Sequence, residues 1–93
     1  MTDSLTLRIR LFAGLREAAG WSERTVQAPG GATPLHLWHQ LELAGAWPGD
    51  AGHGGDAGLP GGLRVAINQA FAAADTPLAD GDELAFLPPI SGG

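Results

Sequence analysis

Aliphatic and polar residues alternate strictly at the start of the chain. Leu5, Leu7, Ile9 and Leu11 fall on one parity, and Thr6, Arg8, Arg10 and Phe12 on the other. A period of two predicts a strand with one buried face. Gly14 to Gly20 then reads as a turn with a short helical piece, Leu15 to Ala19, stopped by Gly20. A second strand is expected between Trp21 and Pro29, centred on Thr25 to Ala28 and antiparallel to the first, because the connection is short.

The pattern changes at Thr33. Thr33 suits an N-cap and Pro34 the first helical position. Leu35, Trp38 and Leu41, widened by Leu37 and Ala44, form an apolar stripe, and Gly45 is expected to stop the helix. Residues 46–62 have neither period. They include seven Gly and two Pro with almost no large apolar side chain, so a mobile loop is expected. Leu63 to Asn68 alternates again, Asn68-Gln69 turns the chain, and Phe71 belongs to a short fourth strand. Gly81 marks a turn, Glu83 to Leu87 forms the last strand, and Pro88 and Pro89 end it because neither can donate to a ladder.

The order is strand, strand, helix, strand, short strand, strand. It predicts an α+β fold in two layers, a mixed sheet of about five strands with one main helix on one face. The ubiquitin-like β-grasp has this order, with the first and last strands as central neighbours. The expected organisation is one domain over residues 1–87, carrying the Gly-rich loop 46–62, and a tail over residues 88–93.

Composition narrows the function. The 93 residues are 44% apolar, enough for one modest core. There is no Cys, which excludes thiolate metal sites and cysteine catalysis within the chain. No apolar run approaches a membrane span and the polar N-terminus is not a signal peptide, so a cytoplasmic protein is expected. The net charge is −5, with five Arg and no Lys. No basic footprint for nucleic acid is visible, and an acidic body favours basic clefts on protein partners. The missing Lys fits a compositional bias towards Arg, or a chain that gains from carrying no reactive amine beyond its N-terminus.

Few residues suggest chemistry. His36 and His39 stand three apart with His53 in the loop, without acidic or thiol companions, and read as surface histidines rather than a metal site. Asp80, Asp82 and Glu83 read as turn and strand-start residues. No acid, base and nucleophile set emerges, so the chain is not expected to be a catalyst alone. The tail is different. Pro88, Pro89, Ile90 and Ser91 lead to Gly92 and Gly93, which lack a Cβ and can thread a narrow channel. Six extended residues reach roughly 20 Å, and the two prolines stiffen the base of the arm. The parity of the first and last strands also turns Phe12 and Leu87 outward side by side, an apolar patch beside the tail's exit.

Four segments carry a resemblance: Leu11 to Glu17, Val65 to Gln69, Pro77 to Glu83, and Phe86-Leu87-Pro88-Pro89-Ile90-Ser91-Gly92-Gly93. Together they resemble the molybdopterin synthase small-subunit family, ubiquitin-like sulfur carriers of molybdenum cofactor biosynthesis. The likeness spans nearly the whole chain except residues 46–62, which look like an insertion of its own.

The resemblance implies a cycle centred on Gly93. A ubiquitin-activating-type adenylating enzyme consumes ATP and joins AMP to the Gly93 carboxylate, otherwise an anion and a poor electrophile. A persulfide sulfur donor displaces AMP and leaves a thiocarboxylate. The loaded tail enters the synthase large subunit, where sulfur passes to cyclic pyranopterin monophosphate and two rounds build the dithiolene. No permanently bound cofactor is implied, only transient AMP and sulfur on Gly93. A hetero-oligomer is implied, whose partner surface uses the positions of Phe12, Arg16, Phe71 and Leu87. The alternatives are a sulfur carrier for thiamine or a tungsten-type cofactor, and a ubiquitin-like modifier ligated through Gly93.

Overall fold

A computed structural model describes residues 4–46, 59–60 and 62–88. Five strands and two helices follow the expected order. They are β1 (Ser4–Leu11), α1 (Ala13–Ala19), β2 (Glu23–Pro29), α2 (Pro34–Gln40), β3 (Arg64–Ile67), β4 (Ala70–Ala72) and β5 (Glu83–Leu87). The strands form one mixed sheet in the order β2-β1-β5-β3-β4. β1 pairs antiparallel with β2 and parallel with β5, while β3 pairs antiparallel with β5 and β4. The first and last strands therefore sit side by side near the middle of the sheet, which is the β-grasp arrangement.

Alternation decides which face is buried. Leu7, Ile9 and Leu11 of β1, Val65 of β3, and Leu84 and Phe86 of β5 point to the helical layer and are almost fully buried. Leu5 lies at the margin, partly buried against them. The helical layer supplies Leu15, Pro34, Leu37, Trp38 and Leu43. Trp38 and Phe86 meet at its centre, with ring centroids 5.4 Å apart and planes inclined by 58°, a tilted packing that suits the ring quadrupoles.

The main helix is shorter than its apolar stripe suggests. Thr33 caps it as expected, its side chain accepting from the His36 N–H at 3.2 Å, with Pro34 in the first turn. It ends at Gln40 rather than running to Gly45. Glu42, not Gly45, takes the left-handed backbone, at φ 55°, and a 3₁₀ turn over Leu43–Ala46 follows. Pro34, Leu37 and Trp38 are buried, whereas Leu35 and Leu41 are only half-buried. The kink places Leu43 in the core, where a straight continuation of the stripe would have carried Ala44.

The loop expected over residues 46–62 lies mostly outside the described residues. Its far end belongs to the domain, however. Leu59 is buried in the core, so the segment is less poor in apolar anchors than its glycine content implies.

Two reversals need left-handed backbone. Gly81 supplies it before β5 at φ 87°. In the two-residue hairpin between β3 and β4, Asn68 and Gln69 adopt φ of 52° and 70°, as turns matched to strand twist require at both central positions. Asn68 is held by its side chain, which donates to Asp82 Oδ1 at 2.9 Å and accepts from the Glu83 N–H at 3.0 Å. Gln69 is exposed, with no such anchor among the described residues. Replacing Gln69 by Gly removes a steric penalty larger than the entropy it adds. The variant is expected to gain about 0.5 to 1 kcal/mol, seen as a higher urea midpoint. A lower midpoint would show that Gln69 is held by contacts the backbone does not reveal.

Candidate protein-docking face

The sheet face turned away from the helices carries the expected patch. Phe12 follows β1 and precedes α1 with extended backbone, φ −132° and ψ 157°. It therefore continues the strand alternation and keeps its ring on the outer face. Ala13 then turns the chain into the helix at φ 53°, a conformation costly for a residue with a Cβ. Cross-strand register places Arg10 opposite Ala85, Ala85 opposite Ala66, and Ala66 opposite Phe71, while Leu87 faces Arg64. Leu87 ends β5, and the half-buried Pro88 follows.

These residues make a shallow seat of about 230 Å³. Ala66 and Ala85 form its floor, and Phe12, Phe71 and Leu87 stand around it. Because the floor residues end at Cβ, the larger side chains shield them to 8% and 7% exposure. Phe71 is the outlier, at 67% exposed. Phe12 and Leu87 are half-buried rather than fully exposed, so the seat is concave instead of a flat patch. The two alanines are the part of the site that the sequence shows least clearly. Their signal is the small residue alternating with large ones in Val65-Ala66-Ile67 and Leu84-Ala85-Phe86.

Arg10 lines the seat, whereas Arg8 and Arg64 lie beside it. Arg10 lies over the Phe12 ring at 5.1 Å and pairs with Glu83 at 3.7 Å. Arg8 bridges Glu23 at 3.4 Å and Glu83 at 3.7 Å. Arg64 lies over Phe71 at 4.5 Å. Arg16 is exposed on α1 and does not line the seat. A second depression, of about 450 Å³, runs beside β4 between Leu59, Pro60 and Ala73, and Phe71 walls both. Pro89, Ile90, Ser91, Gly92 and Gly93 lie outside the described residues.

Several other polar side chains have structural work. The Asp80 carboxylate accepts from the Thr6 N–H at 2.7 Å and Asp82 from the Ala79 N–H at 2.8 Å, tying the turn before β5 to the sheet. His36 pairs with Gln40, and the Gln40 amide caps the Gln27 carbonyl on the β2 edge. Among the described residues no cluster of His, Asp and Glu could hold a metal ion, and His53 lies outside them. No described helix is long and apolar enough to cross a membrane.

The chain is similar to known proteins. The molybdopterin synthase sulfur carrier subunit of Escherichia coli (strain K12) is 32% identical over 87 residues, covering 94% of this chain and 99% of that one. Its Arabidopsis thaliana counterpart of the same name is 29% identical, covering 99% and 88%. Among solved structures, SAMP1 of Haloferax volcanii, a small archaeal modifier protein, superposes with a TM-score of 0.75 at 34% identity, covering 95% of this chain and 99% of that one. The family model described as the ThiS family matches residues 9–93, and this chain belongs to that family.

Proposed function

We propose that the chain is the sulfur carrier and non-catalytic small subunit of a molybdopterin synthase, with the Gly93 carboxylate as its working group. The observation that carries this reading is the family match through residue 93, joined to near full-length similarity to sulfur carrier subunits of that synthase. The apolar seat at the end of β5 gives the second support. A chain that hands its terminus to another protein needs a docking face next to the tail, and Leu87 and Phe12 stand at that point.

The chemistry follows in three exchanges. An adenylating enzyme directs the Gly93 carboxylate oxygen onto the α-phosphorus of ATP, and pyrophosphate leaves. The acyl-adenylate has lost its negative carboxylate and gained a good leaving group. A persulfide then attacks the acyl carbon and expels AMP, and a second thiol breaks the resulting S–S bond to free the thiocarboxylate. In the large subunit this sulfur bonds to a carbon of the pyranopterin substrate and displaces an oxygen substituent from it. Water then cleaves the acyl–sulfur bond, leaving sulfur on the substrate and Gly93 as a carboxylate. This chain contributes reach, threading and docking: Pro88 to Ser91 extend the arm, Gly92 and Gly93 pass the channel, and Phe12, Arg16, Phe71 and Leu87 hold the partner.

The similarity to SAMP1 supports a second reading, in which the activated terminus is ligated to lysines of other proteins. One experiment separates the two. The purified chain is incubated with ATP, an adenylating enzyme of the molybdopterin pathway and a sulfide source, and its intact mass is taken. The carrier reading expects the gain of one sulfur for one oxygen. No gain from a folded chain with an active enzyme overturns it, and isopeptide-linked conjugates in cell extract then favour the modifier.

A further inference from the structure

We propose that Arg64, held over the Phe71 ring, selects the docking partner by engaging a carboxylate on the rim of the large subunit's contact surface. The inference rests on the reading of this chain as a synthase small subunit. It concerns a residue that the sequence pattern did not single out.

The chain as a whole is acidic, which by itself favours a basic partner. The outer sheet face reverses that sign, since it carries three of the five arginines, Arg8, Arg10 and Arg64, against Glu23 and Glu83. Both glutamates are already engaged by Arg8 and Arg10. Arg64 makes no ion pair among the described residues. Its guanidinium is fixed instead 4.5 Å over an aromatic ring.

Stacking prepares the side chain for recognition. A guanidinium held over a ring uses none of its N–H donors there and keeps them free for a carboxylate. Holding it in place beforehand lowers the entropy lost on binding. Phe71 also decides what docking does to Arg64. It is two-thirds exposed and walls both the seat and the depression that Arg64 lines, so a partner that fills the seat and extends across the ring draws water away from the cation beside it. A cation stripped of water without a counter-charge is costly. A partner offering a carboxylate there satisfies the donors, and a partner with an apolar or basic rim is rejected.

The test uses the full chain and the large subunit encoded by the same organism, titrated by calorimetry at low and moderate salt. Arg64→Gln is expected to weaken binding about three-fold and to flatten its salt dependence, and Arg64→Glu to weaken it by about ten-fold or more. Phe12→Asp serves as the control for the seat and weakens binding at both salt levels. Both positions are exposed or half-buried, and thermal unfolding checks that each of the three variants is folded. If Arg64→Glu binds as the parent chain does while Phe12→Asp fails, the seat is right and selection by Arg64 is wrong. If the parent chain itself does not bind the large subunit, the synthase reading falls and this proposal with it. A dimer of the chain alone, lost on Arg64→Glu in sedimentation, makes a second copy the occupant and overturns the proposal.

Discussion

Deleting Gly93 is expected to abolish sulfur loading while leaving the unfolding midpoint unchanged. The deletion leaves a free α-carboxylate on Gly92, chemically the same group. What changes is its position, drawn back by about 3.3 Å along an extended arm. Reaction geometry tolerates little of that, since reacting atoms must approach to about 3 to 3.5 Å, and a misplacement of about 1 Å can cost two orders of magnitude. The loss should therefore be complete within the sensitivity of an intact-mass measurement. Gly93→Val separates reach from threading, because its carboxylate stands at the full distance behind a branched side chain that the channel must admit. Normal loading of both variants would sink the assignment of Gly93 as the working terminus. Loading of Gly93→Val alone would show that length matters and channel width does not.

Phe86→Ala is expected to cost about 3 to 5 kcal/mol. Phe86 is fully buried at the centre of β5, against Trp38 on α2, and β5 is flanked on both sides by other strands. Removing the ring leaves a void that rigid strands cannot close, so the transfer and cavity costs add. A domain of this size has little reserve, since stabilities of about 5 to 15 kcal/mol are usual and small chains lie towards the lower end. Most of the cooperative unfolding transition should therefore shift into low urea. The measurement is equilibrium urea unfolding followed by tryptophan fluorescence and circular dichroism. A change under about 1 kcal/mol would mean that the Phe86 site collapses around the smaller side chain, and that the tilted pair with Trp38 is not the centre of the core.

The strands were legible because alternation in β1, β3 and β5 is a direct image of a sheet with one buried face. Phe12 and Leu87 could be placed outside on parity alone, and the turn at Gly81 on its need for positive φ. The course of the chain after Gln40 was not legible. Leu41, Ala44 and Gly45 continue a plausible helical stripe, and only tertiary packing decides that Glu42 reverses and Leu43 turns inward. Leu59 was hidden for a similar reason, because its neighbours are Gly and Pro and no periodicity marks a lone anchor. The seat needed the register between strands. Ala66 and Ala85 are nineteen positions apart in sequence, and nothing local says that they lie opposite one another.

The parallel pairing of β1 with β5 also bears on how the chain is made. β5 is made after the other described strands, yet it occupies the middle of the sheet, between β1 and β3. A chain interrupted before Phe86 would leave β1 without its inner neighbour, β3 without its only link to β1, and the helical layer without the ring that Trp38 packs against. Its contacts are largely non-local, so folding must wait for the end of synthesis. The docking seat is built on β5 and inherits that delay. A folded body with a complete seat therefore requires that translation has passed Leu87. On the proposed function, products truncated before Phe86 would lack the strand that builds the seat and would not compete with loaded chains for the partner.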